Sequence, residues 1–438
     1  MSHALKIYLA VLGGLWGIAL LFIAVRGFAM HQGYPFDTFL LPPAIRFNDF
    51  TVYDPRFALW GQGDSFFTLP GFKFDYPAPM LLGQLAYYKL SPAPLNTYLA
   101  TVVLFAVTGG LLAAMAIPKN SRVAFLAGAA ALCTAFFSYP LFFLFDRANI
   151  EGLVLIATAL GLVCFAAHRY SSSALLIALA ASMKIFPGVL LLLLLAKKRY
   201  RDFGLALAAI GVFTWGSLWL TGPTIARASE GITEGFVFLR QIQIFEYRPV
   251  DISFDHSLWA FIKQVCFRVL HDIPRVKALL PHMYIAYGIA AAAAFAAIYF
   301  FVIRRLPVLN QILALSALSI LLPYVSFDYT LLHLFAPFAI LVVVLATDGA
   351  DGRLALTKGQ LLCLLIPFAV IFTPQSYLTY HVVGYGAQVK TLALFAVIGA
   401  AIQVRLPSSL FNEIRPVETL LLDLDLEPAL ERLERKYV

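Results

Sequence analysis

Residues 283–303 read MYIAYGIAAAAAFAAIYFFVI, a run without a charged side chain that ends directly on Arg304-Arg305. At 1.5 Å per residue such a run is long enough to cross the ~30 Å hydrocarbon core of a bilayer as an α-helix. Inside lipid the helix is obligatory, because the surroundings offer no partner for an unpaired peptide group. The arginine pair marks the cytoplasmic end, since short loops on that side carry the excess of Lys and Arg.

The rest of the chain repeats this pattern. Of its 438 residues 61% are hydrophobic and 13% charged, too apolar for a surface that must face water throughout. Further spans fall near 7–27, 96–116, 123–144, 150–167, 173–184, 186–196, 203–221, 309–325, 330–346, 360–375 and 388–404. Basic residues punctuate them at Lys119 and Arg122, Arg169, Lys197 to Arg201, Arg304-Arg305, and Arg353 and Lys358. With the amino terminus inside, every one of these loops is cytoplasmic. The sequence therefore predicts an all-α polytopic membrane protein of about 10–13 transmembrane helices. Segments 173–184 and 186–196 are too short to span singly, and Pro187 between them removes an amide donor, so a broken pair is expected there. The apolar stretch 80–90, flanked by prolines, reads as an interfacial helix.

One transmembrane unit over 1–404 follows, with two external regions at 28–95 and 222–282 that show no clear helical pattern, and a cytoplasmic tail at 405–438. The first apolar segment runs without a small-residue cleavage site to Arg26, which reads as a retained helix rather than a signal peptide. Cys133, Cys164, Cys266 and Cys363 lack metal-ligand spacing, and a disulfide framework is not expected. The net charge of +8 sits beside the spans, where membrane lipid headgroups account for it and nucleic acid is not needed.

Chemistry-bearing residues collect at the external ends. The first region holds Asp49, Tyr53, Asp54, Asp64, Asp75 and Tyr76; a carboxylate beside apolar residues at a membrane surface suits a general base. At 145–151 the sequence Phe-Asp-Arg-Ala-Asn-Ile-Glu interrupts two apolar spans. Ionisable residues at that depth are costly, which points to function. Arg147 offers a planar set of donors for phosphate, aided by Asn149; the structural alternative is an Asp146–Arg147 surface pair with Asn149 capping the next helix. Lys184 lies at another external helix end, either as a phosphate contact or as a lysine reaching for the interface. Asp255 and His256 occur in the second external region, and Asp328 and His333 near the start of a later span. Asp255, His256 and His333 could be imagined around a metal, but no spacing specifies one, and neither a metal nor another cofactor is expected. A Gly-rich phosphate loop, a serine nucleophile elbow and a dinucleotide fingerprint are all lacking from the sequence.

In order along the chain stand Asp-Phe-Thr-Val-Tyr at 49–53, Tyr-Pro-Ala-Pro at 76–79, Arg-Ala-Asn at 147–149, Lys-Ile-Phe-Pro at 184–187 ahead of leucines and a basic loop, and His-Ser-Leu at 256–258. This order, over about residues 7–346, resembles the polyprenyl-phosphate-mannose-dependent mannosyltransferases of glycosyltransferase family 87, within the GT-C superfamily. The chain departs from that family in carrying Asp146-Arg147 where a Gly-Gln is common, and Phe327-Asp328-Tyr329 where a histidine-rich motif is common. The resemblance implies a GT-C-like bundle whose external loops form the active site, a polyprenyl-phosphate sugar donor, and inversion at the anomeric carbon. It implies Asp49 as the general base. Arg147, Lys184 and Asn149 are then the donor-phosphate residues, while Tyr53, Asp75, Tyr76, Asp146, Asp255, His256, Asp328 and His333 are the substrate-binding candidates. The acceptor would be a lipid-linked molecule or glycan at the outer face of a bacterial plasma membrane. A lipid-linked glycan transporter or flippase, and an oligosaccharide polymerase or ligase, are the alternatives.

Overall fold

The computed structural model describes residues 1–33, 40, 43, 46–60, 67, 73–117, 122–248, 252–350, 354–375, 377–380, 383–407 and 411. Asp64, Lys119, Arg353 and the tail from 412 onward lie outside the described residues. The chain is an all-α polytopic membrane protein. Among the described residues seven helices are long and apolar enough to cross a membrane: Ser2–Ala29, Pro94–Met115, Arg122–Arg147, Tyr200–Thr221, Ile273–Arg305, Asp328–Asp348 and Gly386–Gln403. Five shorter apolar helices join them, Glu151–Ala166, Tyr170–Met183, Phe186–Ala196, Val308–Leu321 and Lys358–Ile371. Each segment expected to span is present as helix, and all four cysteines are free.

Burial sorts these helices. Val308–Leu321 is enclosed along nearly its whole length, as its apolar circumference requires, and forms the centre of the main hydrophobic core. Of its polar residues Asn310 ties the helix to a neighbour: its amide donates to the carbonyls of Ala401 and Val404, at 2.7 and 2.5 Å, and its oxygen accepts from Leu406 N at 2.9 Å. It thereby closes the end of Gly386–Gln403, whose last carbonyls have no partner within their own helix. Tyr200–Thr221 and Ile273–Arg305 instead present Val212, Trp215, Trp219, Ile285, Ile289 and Phe301 outward. Such faces suit lipid, not water.

The broken pair is as the proline predicts. Tyr170–Met183 ends at Lys184, whose backbone is extended, and a 3-10 turn at Phe186–Leu191 leads into Leu192–Ala196. Both halves make the same crossing and return. Arg199 lies over the Tyr170 ring at 4.7 Å, so the chain leaves and re-enters at one face, with Lys184 at the other. The 3-10 segment lengthens the return, rising about 2.0 Å per residue instead of 1.5.

The described parts of 28–95 and 222–282 are not the irregular loops that the sequence suggested. Ile225–Leu239 and Leu258–Leu270 are helices, and Ile273–Phe301 begins ten residues ahead of the uncharged run at 283. Their polar residues interrupt the apolarity without breaking the 3.6-residue period, so a search for long uncharged runs passes over them. The stretch 80–90 lies within a helix, Ala78–Leu90, that packs on Tyr200–Thr221. Gly235 lets Ile225–Leu239 press on the segment at Phe74: a Cβ there would lie 1.8 Å from the carbonyl oxygen of Phe74. Lys73 and Glu234 pair at 3.0 Å across the same contact.

Candidate active site

Two breaks in the helical pattern build the centre of the site. Tyr139–Arg147 ends at Ala148, which adopts the left-handed conformation (φ 49°) and turns the chain through Asn149 into Glu151–Ala166. Phe47, also left-handed (φ 63°), donates its backbone N–H to the Asp146 carbonyl at 2.8 Å. That bond sets the short helix Asn48–Thr51 against the turn, and Gln84 secures it from behind with a 2.9 Å bond to the Phe50 carbonyl.

Asp49 therefore faces Arg147. The guanidinium donates through Nε and Nη2 at 2.8 and 2.7 Å, and Asn149 Nδ2 adds a third bond of 2.6 Å. This fork-to-carboxylate geometry is the strongest kind of side-chain pairing and fixes the carboxylate plane. The arginine uses only one edge for it, and a guanidinium has five N–H donors. Its carbon lies 5.7 Å from the centroids of both Phe143 and Phe327, which hold the plane between two rings. Asn149 also donates to Tyr76 Oη at 3.1 Å, and its oxygen accepts from Glu151 N at 3.0 Å. The residue thus caps the helix and serves the site at once. Asp146 pairs with Arg46 at 2.9 Å, so an Asp146–Arg147 pair is not formed.

Next to this group stands a second one. Lys184 is ion-paired with Glu151, whose other oxygen meets His333 Nε2 at 2.7 Å. The ammonium lies 5.8 Å from the Tyr76 ring and 5.4 Å from that of Tyr329, within reach of favourable cation–π contact. Tyr53 donates to Asp75 Oδ1 at 2.7 Å. Burial pushes the Asp75 carboxyl up to about 6, against the lowering effect of the Tyr53 bond, and the neighbouring Asp49 charge adds to the rise.

The folded state thus holds the Asp75 proton more tightly than the unfolded chain does. Its stabilising contribution is complete below the ordinary value near 4 and is lost as pH rises through about 6. Thermal melts of detergent-purified wild type and Asp75→Asn at pH 5 and 7.5 read this out. Wild type should lose stability relative to the variant at the higher pH, and parallel behaviour of the two would refute the assignment.

Asp255, His256 and Asp328 belong to a third, wholly buried group. Asp255 Oδ1 accepts from Ser257 N and Ser326 N at 3.0 and 2.9 Å, stapling the two loops that carry it and Phe327. Burial raises its carboxyl, with Lys263 opposing, and burial also holds His256 well below its ordinary value, hence neutral. Asp328 accepts from Lys390 at 2.6 Å and stands 3.8 Å from His256 Nδ1. This group backs Phe327 and Tyr329, the rings that line the two cations. Asp255, His256 and Asp328 are thus buried behind these rings. His256 and His333 serve different partners, and among the described residues no three His, Cys, Asp or Glu are grouped as a metal would need.

Lys390 escaped the sequence reading, and Glu151 entered it only as the last residue of 145–151, without a role of its own. Each is an ionisable residue at the edge of an apolar span and almost wholly enclosed, at 0% and 1% exposure. The cost of burying a charge in a span was the signal that marks them.

At the opposite ends of these helices lie the basic residues. Arg199 pairs with Asp202 at 2.8 Å beside Tyr170, and Arg405 donates to the Arg305 carbonyl at 3.2 Å. The polar clusters thus lie at the ends of these helices opposite Arg199, Arg305 and Arg405. The sequence profile of glycosyltransferase family 87 matches residues 74–323. No curated protein and no solved structure matches the chain.

Proposed function

From the premise that the chain belongs to glycosyltransferase family 87, and is thus a membrane enzyme that binds a sugar donor and an acceptor, we propose that its donor is a polyprenyl-phosphate-linked hexose, mannose first. The observation that supports this most is a fixed carboxylate, Asp49, held by Arg147, with a second cation, Lys184, held by Glu151 at a neighbouring helix end. Their side chains keep 26% and 24% exposure although their counter-anions are more deeply enclosed. A nucleotide sugar would bring two phosphates and a base to be held; a lipid phosphate brings one phosphate and arrives from the bilayer.

In this reading Asp49 accepts the proton of the acceptor hydroxyl as that oxygen attacks the anomeric carbon. The carbon–oxygen bond to phosphate breaks on the opposite face with inversion, and its electron pair leaves on the polyprenyl phosphate. Arg147 holds Asp49 aligned through one edge and offers its remaining donors to the departing phosphate, where charge stabilisation contributes most to rate. Lys184 supplies a second contact. Tyr53, Asp75 and Tyr76 line the sugar side. The catalytic unit is 1–404 and the tail 405–438 is cytoplasmic, with the polar clusters at the outer face of a bacterial plasma membrane, since the basic ends lie opposite. The acceptor is a lipid-linked molecule or a glycan.

Purified protein incubated with synthetic polyprenyl-phosphate mannose, other polyprenyl-phosphate hexoses and a panel of lipid and glycan acceptors tests the proposal. Transfer of the hexose with release of polyprenyl monophosphate is expected. Turnover with nucleotide sugars alone, or with diphosphate-linked oligosaccharides alone, would overturn it.

A further inference from the structure

Before any substrate binds, the cations of the site are already neutralised. Arg147 has Asp49, and Lys184 has Glu151. The two carboxylates are not alike. Asp49 borders the open site at 12% exposure, whereas Glu151 has none and reaches the site only through the ammonium it holds. Its second oxygen is taken by His333, whose ring is set edge-on against Phe186 at 4.8 Å. Its backbone N–H is bound to Asn149, the residue that also holds Asp49. Glu151 is thereby fixed in position and cannot swing away from Lys184.

We propose that Glu151 is a positioning residue that acts through Lys184 as a built-in competitor for phosphate, limiting how tightly the site retains its spent lipid carrier. The proposal rests on the polyprenyl-phosphate reading above. In that reaction the donor enters as a phosphodiester with one negative charge and leaves as a phosphate monoester carrying about −1.5 to −2 at pH 7. An unopposed ammonium would favour the product over the donor, and turnover would stall on release. A fixed anion behind the ammonium takes up part of its field and repels the more highly charged species most. Lys184 can still orient a phosphate, because an ammonium has three donors and Glu151 lies on one side of it.

The test is direct binding of long-chain polyprenyl monophosphate, with the uncharged polyprenol as control, to the full chain in nanodiscs. Glu151→Gln should bind the monophosphate about tenfold more tightly, the order expected for removing one charge a few ångströms away in a partly wet site. Polyprenol binding should not change. In turnover the variant should show a lower donor KM, a lower kcat and stronger inhibition by product, a split that a merely structural loss would not give. Unchanged or weaker monophosphate binding by Glu151→Gln overturns the inference. A comparison of Lys184→Gln with Lys184→Gln/Glu151→Gln covers the case in which the single variant does not fold, since neither then leaves an unpaired ammonium. The double variant should bind the monophosphate more tightly than Lys184→Gln, and equal binding again overturns the inference. Wild type that binds no polyprenyl monophosphate at all would remove the donor reading, and with it this one.

Discussion

Asp49→Asn is expected to lower turnover roughly 10²–10⁴-fold, the usual loss when a general base is removed. The amide has nearly the shape of the carboxylate but cannot take the acceptor proton. Donor binding should survive, because Lys184 and the outer edge of Arg147 are untouched. Single-turnover measurements with a labelled donor separate the two steps. Asp54 and Asp75 lie in the same 28–95 region and serve as comparisons: Asp54→Asn should stay active, and Asp75→Asn should lose less than Asp49→Asn. Near-normal turnover by Asp49→Asn beside an inactive Asp75→Asn would move the base to Asp75, whose carboxyl is already raised to about 6 and bound by Tyr53.

Arg147→Gln carries the second large effect. Losing a donor aimed at developing negative charge costs on the order of 10²–10³ in rate. The same change strips Asp49 of its two bonds from the guanidinium. Arg147→Lys should not rescue it, since an ammonium cannot present two parallel donors to a carboxylate. Stability gives a reading that is independent of the chemistry. The Arg147→Gln variant leaves Asp49 without its counter-ion, so adding Asp49→Asn should raise the melting temperature of that variant. A further fall in the double variant would mean that the pair does not act as a unit.

What the sequence revealed and what it withheld divide along a physical line. The length of an apolar run is a local property, so 283–303 and its counterparts could be read as helices without knowledge of their neighbours. The alternation of basic residues also gathered Asp49, Arg147, Lys184 and His333 at one face, where the fold indeed brings them together. Pairing is not local. Arg147 could not be seen to choose Asp49, 98 residues away, over the adjacent Asp146, because that choice depends on the left-handed turns at Phe47 and Ala148. Glu151 and His333 are 182 residues apart, and only packing shows that they share a proton-bearing contact. The helices of 222–282 were missed for the opposite reason, since their polar faces resemble loop when only apolar length is weighed.

The short helices carry one more consequence. Glu151–Ala166, Tyr170–Met183 and Val308–Leu321 have 16, 14 and 14 residues, which is about 24, 21 and 21 Å of rise against a hydrocarbon thickness of ~30 Å. They are flanked by longer, outward-facing helices such as Tyr200–Thr221 and Ile273–Arg305. These three helices are therefore shorter both than the hydrocarbon is thick and than the outward-facing helices beside them. This is hydrophobic mismatch resolved inside a protein rather than in the surrounding lipid. Charged residues at the ends of short helices can be reached by water where lipid would expel them. On the donor reading proposed above, a carrier lipid would bring its phosphate to those ends from the side, with its tail never leaving oil.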